Sequence, residues 1–164
     1  MIFVTVGTHE QPFDRLLKKM DQLILENKIK EPVFMQIGYT QYIPKYAKFE
    51  KFVTYEQMEK LMNDADIIIT HGGPASFMNV LSKGKRPIVV PRQVEYKEHV
   101  NNHQLDFVKK VLNKGYSFDV VTDINDLEST INKNKDNIST FNQQSHTEEF
   151  VNEFRQIVEE LVKK

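Results

Sequence analysis

Residues 66–76, Asp66-Ile67-Ile68-Ile69-Thr70-His71-Gly72-Gly73-Pro74-Ala75-Ser76, hold a change of structure within eleven positions. Asp66 to Thr70 is nearly all apolar and predicts a buried strand. His71-Gly72-Gly73-Pro74 breaks it, and Ala75 to Ser82 predicts a helix. The same phrase recurs on both sides. Upstream, Met1 to Val6 is an apolar, β-branched run stopped by Gly7-Thr8. Pro12 then suits a first helical position, and Phe13, Leu16, Leu17, Met20, Leu23 and Ile24 repeat at helical spacing. Val33 to Ile37 predicts a second strand closed by Gly38, and Phe49 to Val53 a third, with a helix from about Tyr55 to Asn63. Downstream, Arg86 to Pro91 predicts a fifth strand, followed by a polar loop and a helix carrying Val100, Leu105, Phe107, Val108, Val111 and Leu112. Gly115 ends that helix, and Tyr116 to Val121 predicts a last short strand. Apolar runs alternating with helical patterns are the mark of βαβ units. Right-handed crossovers make a doubly wound parallel sheet the expected topology.

The last fifty or so residues have another character. All 6 Gly and all 6 Pro stand at or before Gly115, and the chain beyond is rich in Asn, Lys, Asp and Glu. Residues 1–135 are therefore read as one α/β domain, and 136–164 as a linker and a C-terminal helix. In that helix Ser145 and Glu148 stand as in a capping box. Phe150, Val151, Phe154, Ile157, Val158, Leu161 and Val162 form its apolar stripe, which packs on the same domain or docks on a partner.

Composition narrows the function. The 164 residues suit one domain with a core of its own. With 22 Lys+Arg against 23 Asp+Glu, the chain lacks the basic excess of a nucleic-acid binder. It has no cysteine, which excludes disulfides, thiolate metal sites and a cysteine nucleophile. No apolar run approaches the roughly 20 residues that span a bilayer, and no targeting segment is expected from the opening residues.

In an open α/β sheet, ligands bind beyond the carboxyl ends of the strands. Three polar, Gly-containing or amide-rich segments fall there: Gly7-Thr8-His9-Glu10, His71 to Ser76, and Arg92 to Gln104. Four of the five histidines, His9, His71, His99 and His103, lie in them, which points to one site. Around His71, two glycines allow close backbone approach. The helix that follows offers unpaired N–H groups and a positive dipole end, an anion seat best suited to phosphate. An ordinary strand-to-helix turn reads the same way. The segment is neither a Walker A loop nor a GxGxxG fingerprint. Gly7 and Thr8 either end a strand and start a helix or add a second loop of backbone donors, with His9 or Glu10 free for acid/base work. The third segment carries Glu98, His99, Asn102, His103 and Gln104, the mixed groups that sugar hydroxyls need as partners. A solvated loop looks similar. His99 and His103 stand at zinc-ligand spacing, but Val100 occupies the place where zincin chemistry needs Glu, so no metal is expected.

Together, the N-terminal strand ending in Gly-Thr, HGGPAS before a helix, and VPRQ…EHVNNHQ after the next strand resemble glycosyltransferase family 28. The chain is similar to the C-terminal, nucleotide-sugar-binding half of GT-B enzymes. It resembles free-standing members of that group: the small catalytic subunit of the dolichol-linked N-acetylglucosaminyltransferase and bacterial capsule or exopolysaccharide subunits. The likeness covers Met1 to about Val121. It implies a Rossmann-like fold, a single GT-B half domain. It also implies a UDP-sugar-dependent hexosyltransferase acting on a lipid-linked saccharide in surface polysaccharide synthesis, with galactose or glucose as the first expectation for the sugar. By motif position, His71, Gly72, Gly73 and Ser76 would hold the diphosphate, with Gly7 and Thr8 closing the cleft. Glu98, His99, Asn102, His103 and Gln104 would surround the sugar. Asn79 stands where the family commonly has a ribose-binding carboxylate. The resemblance further implies no cofactor or required metal, a membrane-anchored partner subunit that binds the acceptor, and a cytoplasmic chain recruited to the membrane face by that partner. The catalytic base would be His9 or Glu10, or lie on the partner. The alternative is a nucleotide-sugar-binding subunit without turnover.

Overall fold

The computed structural model describes residues 1–8, 10–99 and 101–137. His9, Val100, the chain beyond Asn137 and the expected helix from Ser145 lie outside the described residues. Six parallel strands are described: β1 (Ile2–Thr5), β2 (Val33–Gln36), β3 (Lys48–Glu50), β4 (Ile67–His71), β5 (Ile88–Val90) and β6 (Asp119–Val120). They pair in the order β3-β2-β1-β4-β5-β6. The order reverses between β1 and β4, where Ile2 pairs with Ile67 and Thr5 with Thr70. Five helices are described: α1 (Asp14–Leu25), α2 (Tyr55–Asp64), α3 (Pro74–Ser82), α4 (His103–Asn113) and α5 (Leu127–Asn137). The doubly wound parallel sheet expected from the sequence is the fold observed. Five of the six strands are one to four residues shorter than their predicted runs, whereas β4 keeps five residues one position later, so that His71 ends the strand and Gly72 breaks it. α1 begins two residues after Pro12.

Alternation along each strand divides the core. Ile2 and Val4, Ile67 and Ile69, and Ile88 and Val90 face a layer built from α1 and α5. Phe3, Ile68 and Val89 face the other way, toward α2, α3 and α4. Both faces of the central strands are covered, so they read as unbroken apolar runs. α2 starts with a capping box in which the Thr54 hydroxyl accepts from the Gln57 N–H and the Gln57 side chain accepts from the Thr54 N–H. α5 runs through Asn137, two residues into the expected linker.

One crossover has no helix. Residues 37–47 carry the chain from β2 to β3 as a loop laid along α1 and pinned by two carboxylates. Asp14 accepts from the N–H groups of Gln41 and Tyr42, at 3.1 and 3.2 Å. Asp21, buried, accepts from Lys45 N–H at 2.7 Å, Tyr46 N–H at 3.2 Å and the Tyr42 hydroxyl at 2.6 Å. Donation to a carboxylate pushes the Tyr42 phenol up to about 12 from its ordinary 10.0. Because the folded value is the higher one, this contribution to stability is whole below about pH 10 and is lost as pH rises through about 12. Tyr42→Phe should lower the melting temperature at neutral pH and flatten its fall across that alkaline window. Parallel curves for the two proteins would show that the bond contributes nothing.

Candidate functional site

The carboxyl ends of β1, β4 and β5 bring the three segments together around the His71 ring. Gly73 N–H donates to His71 Nδ1 at 3.0 Å, which makes Nδ1 an acceptor and leaves the ring proton on Nε2. Nε2 stands 2.9 Å from Ser76 Oγ, so the imidazole donates to the hydroxyl. Ser76, in the first turn of α3, then has its own O–H to turn outward. Pro74 opens this helix at its first position, where no N–H is needed. The N–H of the exposed residue Ala75 and the Ser76 hydroxyl are thus the donors at the head of α3.

The ring fits only because two glycines flank it. A Cβ on Gly7 would stand 2.3 Å from His71 Nε2, and one on Gly73 would stand 2.1 Å from His71 Cε1. Gly7 also has φ +77, a conformation that favours glycine. A Cβ on Gly72 would meet Gln104 Cβ at 3.0 Å and Pro91 Cα at 3.1 Å. The room these glycines provide is therefore filled by protein atoms, which differs from the sequence expectation of space left for a ligand.

The third segment is tied to both others from inside. Gln104 is buried at the start of α4, and its Oε1 accepts from the Gly72 and Arg92 N–H groups, each at 3.1 Å. Its amide nitrogen lies 3.3 Å from His71 Nδ1. Arg92 is fully buried, and its guanidinium reaches across the end of β4 to the first loop. Nη2 donates to Val6 O at 2.7 Å, and Nη1 to Gln11 O at 2.6 Å and Glu98 O at 3.0 Å. Its charge also lies over the Phe13 ring, 5.0 Å from the centroid. Burial pushes the guanidinium down to about 10, against the pull of Glu98, so it stays a cation at neutral pH.

Glu98 is buried and paired with Arg15 through two 3.0 Å bonds, the fork geometry that makes such pairs strong. Its Oε1 also accepts from Gln93 N–H at 3.2 Å. The turn holding it closes through Lys97, a non-glycine residue in the left-handed region at φ 58. Asn102 is exposed, with Oδ1 accepting from Val94 N–H at 2.9 Å. His103 is exposed at the head of α4, and His99 is half-buried, 3.4 Å from Asn101 N–H.

Not every expected residue joins this cluster. Asn79 donates to Glu59 Oε1 at 2.9 Å and approaches Met62 Sδ at 3.4 Å, so its amide is committed to α2. Lys83 and Asn79 together hold the Glu59 carboxyl below its ordinary value. Glu98 and Gln104, expected beside a sugar, spend their polar atoms on the protein. Thr8 and Glu10 are exposed on the first loop, and His9 lies outside the described residues. Among the described residues, no three His, Asp or Glu side chains are grouped to hold a metal ion. The sequence reading did not single out Arg15, and took Arg92 only as the start of the third polar segment. The one signal was an arginine directly after the Val-Val-Pro strand end.

An open parallel sheet of this order, with its loops gathered at the switch point, defines a Rossmann-like half domain of the GT-B type. The chain belongs to the glycosyltransferase family 28 C-terminal domain family, whose model matches residues 1–161. It is similar to the UDP-N-acetylglucosamine transferase subunit ALG13 of Mus musculus, with 34% identity over 125 residues, covering 71% of this chain and 10% of that protein. The protein of the same name from Homo sapiens is 33% identical over 126 residues, covering 71% of this chain and 11% of its own length. The chain thus matches about a tenth of the length of these relatives.

Removing the Arg92 guanidinium leaves three main-chain oxygens without donors. Arg92→Met should cost about 2–4 kcal/mol of unfolding free energy in urea, since a buried acceptor left unpaired costs roughly 1–3 kcal/mol. A loss below about 1 kcal/mol would mean that water replaces the guanidinium there.

Proposed function

We propose that this chain is the donor-binding catalytic subunit of a UDP-sugar-dependent glycosyltransferase. It transfers a sugar to a lipid-linked saccharide in surface polysaccharide synthesis, beside a membrane-anchored subunit that binds the acceptor. The observation that supports it best is the His71–Ser76 arrangement at the switch point. An imidazole held between Gly7 and Gly73 directs a hydroxyl at the head of a helix, where a diphosphate gains hydrogen bonds and a favourable dipole. The family membership supports glycosyl transfer as the chemistry.

In this reading Ser76 Oγ and the Ala75 N–H hold the diphosphate, while His71, Gly72 and Gly73 shape the seat. The same donors stabilise the negative charge that builds on the diphosphate as it leaves, in place of a metal. His99, Asn102 and His103 reach the sugar, and Gly7 and Thr8 close the cleft. Glu98 and Gln104 act by holding these loops. Asn79 contributes through α2 and not through the ribose. The base is His9 or Glu10 on the first loop, or a group on the partner. The relatives' name carries UDP-N-acetylglucosamine, so that donor is tested beside UDP-glucose and UDP-galactose. We place the chain in the cytoplasm, drawn to the membrane face by its partner.

Calorimetric titration with UDP and the three UDP-sugars, with and without Mg²⁺, tests the reading. UDP binding is expected to be unaffected by the metal and about tenfold weaker in Ser76→Ala, one lost hydrogen bond to a charged group. Unchanged affinity in that variant would remove the phosphate assignment. Asn102→Ala should weaken a UDP-sugar much more than UDP, and equal losses would count against a sugar contact. With the partner subunit present, sugar transfer distinguishes the enzyme from a binding subunit. A fall in kcat for Glu10→Gln at unchanged KM would assign it the base.

A further inference from the structure

The edge of the sheet at β3 has no role in the site, yet it carries much of the exposed apolar surface. Tyr39, Ile43, Tyr46, Phe52 and Tyr55 are between 45% and 79% exposed. They make up five of the nine large apolar side chains exposed among the described residues, and all fall within residues 39–55. Four of the chain's 6 tyrosines stand in the same stretch. Single exposed rings need no explanation, but such a concentration on one edge does.

The backbone brings these residues to the sheet edge at β3. The β2–β3 crossover carries Tyr39, Ile43 and Tyr46 down along α1, and β3 returns to Phe52 and Tyr55. Gly38 N–H donates to Lys51 O at 2.8 Å, which sets Tyr39 beside Phe52. Their rings meet edge to face with centroids 5.2 Å apart.

Charge accompanies the rings. Lys45, Lys48 and Lys51 are exposed on this stretch, against one acidic residue, Glu50. Glu56 follows just beyond Tyr55 on α2. Within 39–55 the balance is +2, three lysines less one glutamate, in a chain whose net charge is −1. Lysine is depleted from the cores of protein–protein interfaces, whereas tyrosine and lysine side by side suit the headgroup region of a bilayer. There the rings sit at the level of the ester groups and the ammonium groups meet anionic lipid. β3 is also a poor strand for pairing with another protein, being three residues long with Lys48 and Glu50 outward.

We propose that the β3 edge is a lipid-contact face: Tyr39, Ile43, Tyr46, Phe52 and Tyr55 enter the interface of an anionic bilayer while Lys45, Lys48 and Lys51 bind its headgroups. Tyr39, Phe52 and Tyr55 lie past the carboxyl ends of β2 and β3, the same end of the sheet as the His71 cluster. β3 and β1 are two strand spacings apart, roughly 10 Å, so a membrane on this face lies beside the mouth of the site. The inference does not depend on the donor reading, because lipid binding is measured without any nucleotide sugar.

The test is flotation of the full 164-residue chain with vesicles of phosphatidylcholine alone or mixed with phosphatidylglycerol. The chain should float with the anionic vesicles, and less so at high salt. A Tyr39→Ser/Phe52→Ser/Tyr55→Ser variant and a Lys45→Glu/Lys48→Glu/Lys51→Glu variant should each lose about tenfold in partitioning. Their thermal melts check the fold. Tyr55→Ser alone, at the most exposed of these rings, gives a smaller loss if the triple variant does not fold. Leu112→Ser, on α4 at another surface, should leave flotation unchanged. Equal flotation of wild type and both variants, or no flotation of the wild type, overturns the proposal. Sedimentation that shows a wild-type dimer and a monomeric ring variant, without vesicle binding, would assign the face to a second copy of the chain instead.

Discussion

A cation withdrawn from water must spend its donors on the protein around it, and the Arg92 guanidinium spends three bonds on main-chain oxygens of two separate loops. Val6 and Gln11 bracket the first loop, and Glu98 lies in the third. The strand between them, β4, carries His71. One side chain thus sets how far apart the walls of the cleft stand. Arg15 reinforces it from α1, holding the Glu98 carboxylate and reaching the Pro91 and Thr122 carbonyls at 3.4 and 3.3 Å. Desolvating these charges costs several kcal/mol, and their mutual bonding offsets part of that cost. What the arrangement gains is a defined spacing between loops that have no regular structure to hold them.

Within that frame, His71 has a fixed orientation. Its ring occupies the volume that a side chain on Gly7 or Gly73 would need, and both ring nitrogens are engaged. Gln104 closes the third side, its amide shared among Gly72, Arg92 and His71. The polar residues of the three segments therefore divide into two groups. Those that build the site, Glu98, Gln104, Arg92 and His71, are buried and bonded inward. Those left at its surface, Ser76, His99, Asn102 and His103, are the ones a ligand can meet.

Much of the architecture was legible in the chain because burial on two faces forces apolar strands, and glycine or proline stands just after four of the six strands, β1, β2, β4 and β5. Six such runs, all but the second and third separated by helical periodicity, leave few topologies under the handedness rule. The crossover at residues 37–47 was not legible. Its support comes from Asp14 and Asp21, which in sequence are two polar positions on an amphipathic helix. The ends of β1, β2, β5 and β6 moved inward for a related reason: an apolar run continues as long as residues are buried, while ladder pairing stops where the neighbouring strand stops.

The sequence by itself determined the doubly wound class, the order of its elements and the convergence of three polar segments at one end, since periodicity and turn chemistry are local properties. It also carried the motifs of the glycosyltransferase family 28 C-terminal domain family, to which the chain belongs. Only the tertiary structure decided which residue of each segment faces inward. Asn79 turned to Glu59, Glu98 to Arg15 and Gln104 to the backbone because those partners lie 20, 83 and up to 32 positions away and meet only when the sheet forms. A polar side chain takes the partner that removes it from water at least cost, and that partner is set by folding, not by spacing along the chain.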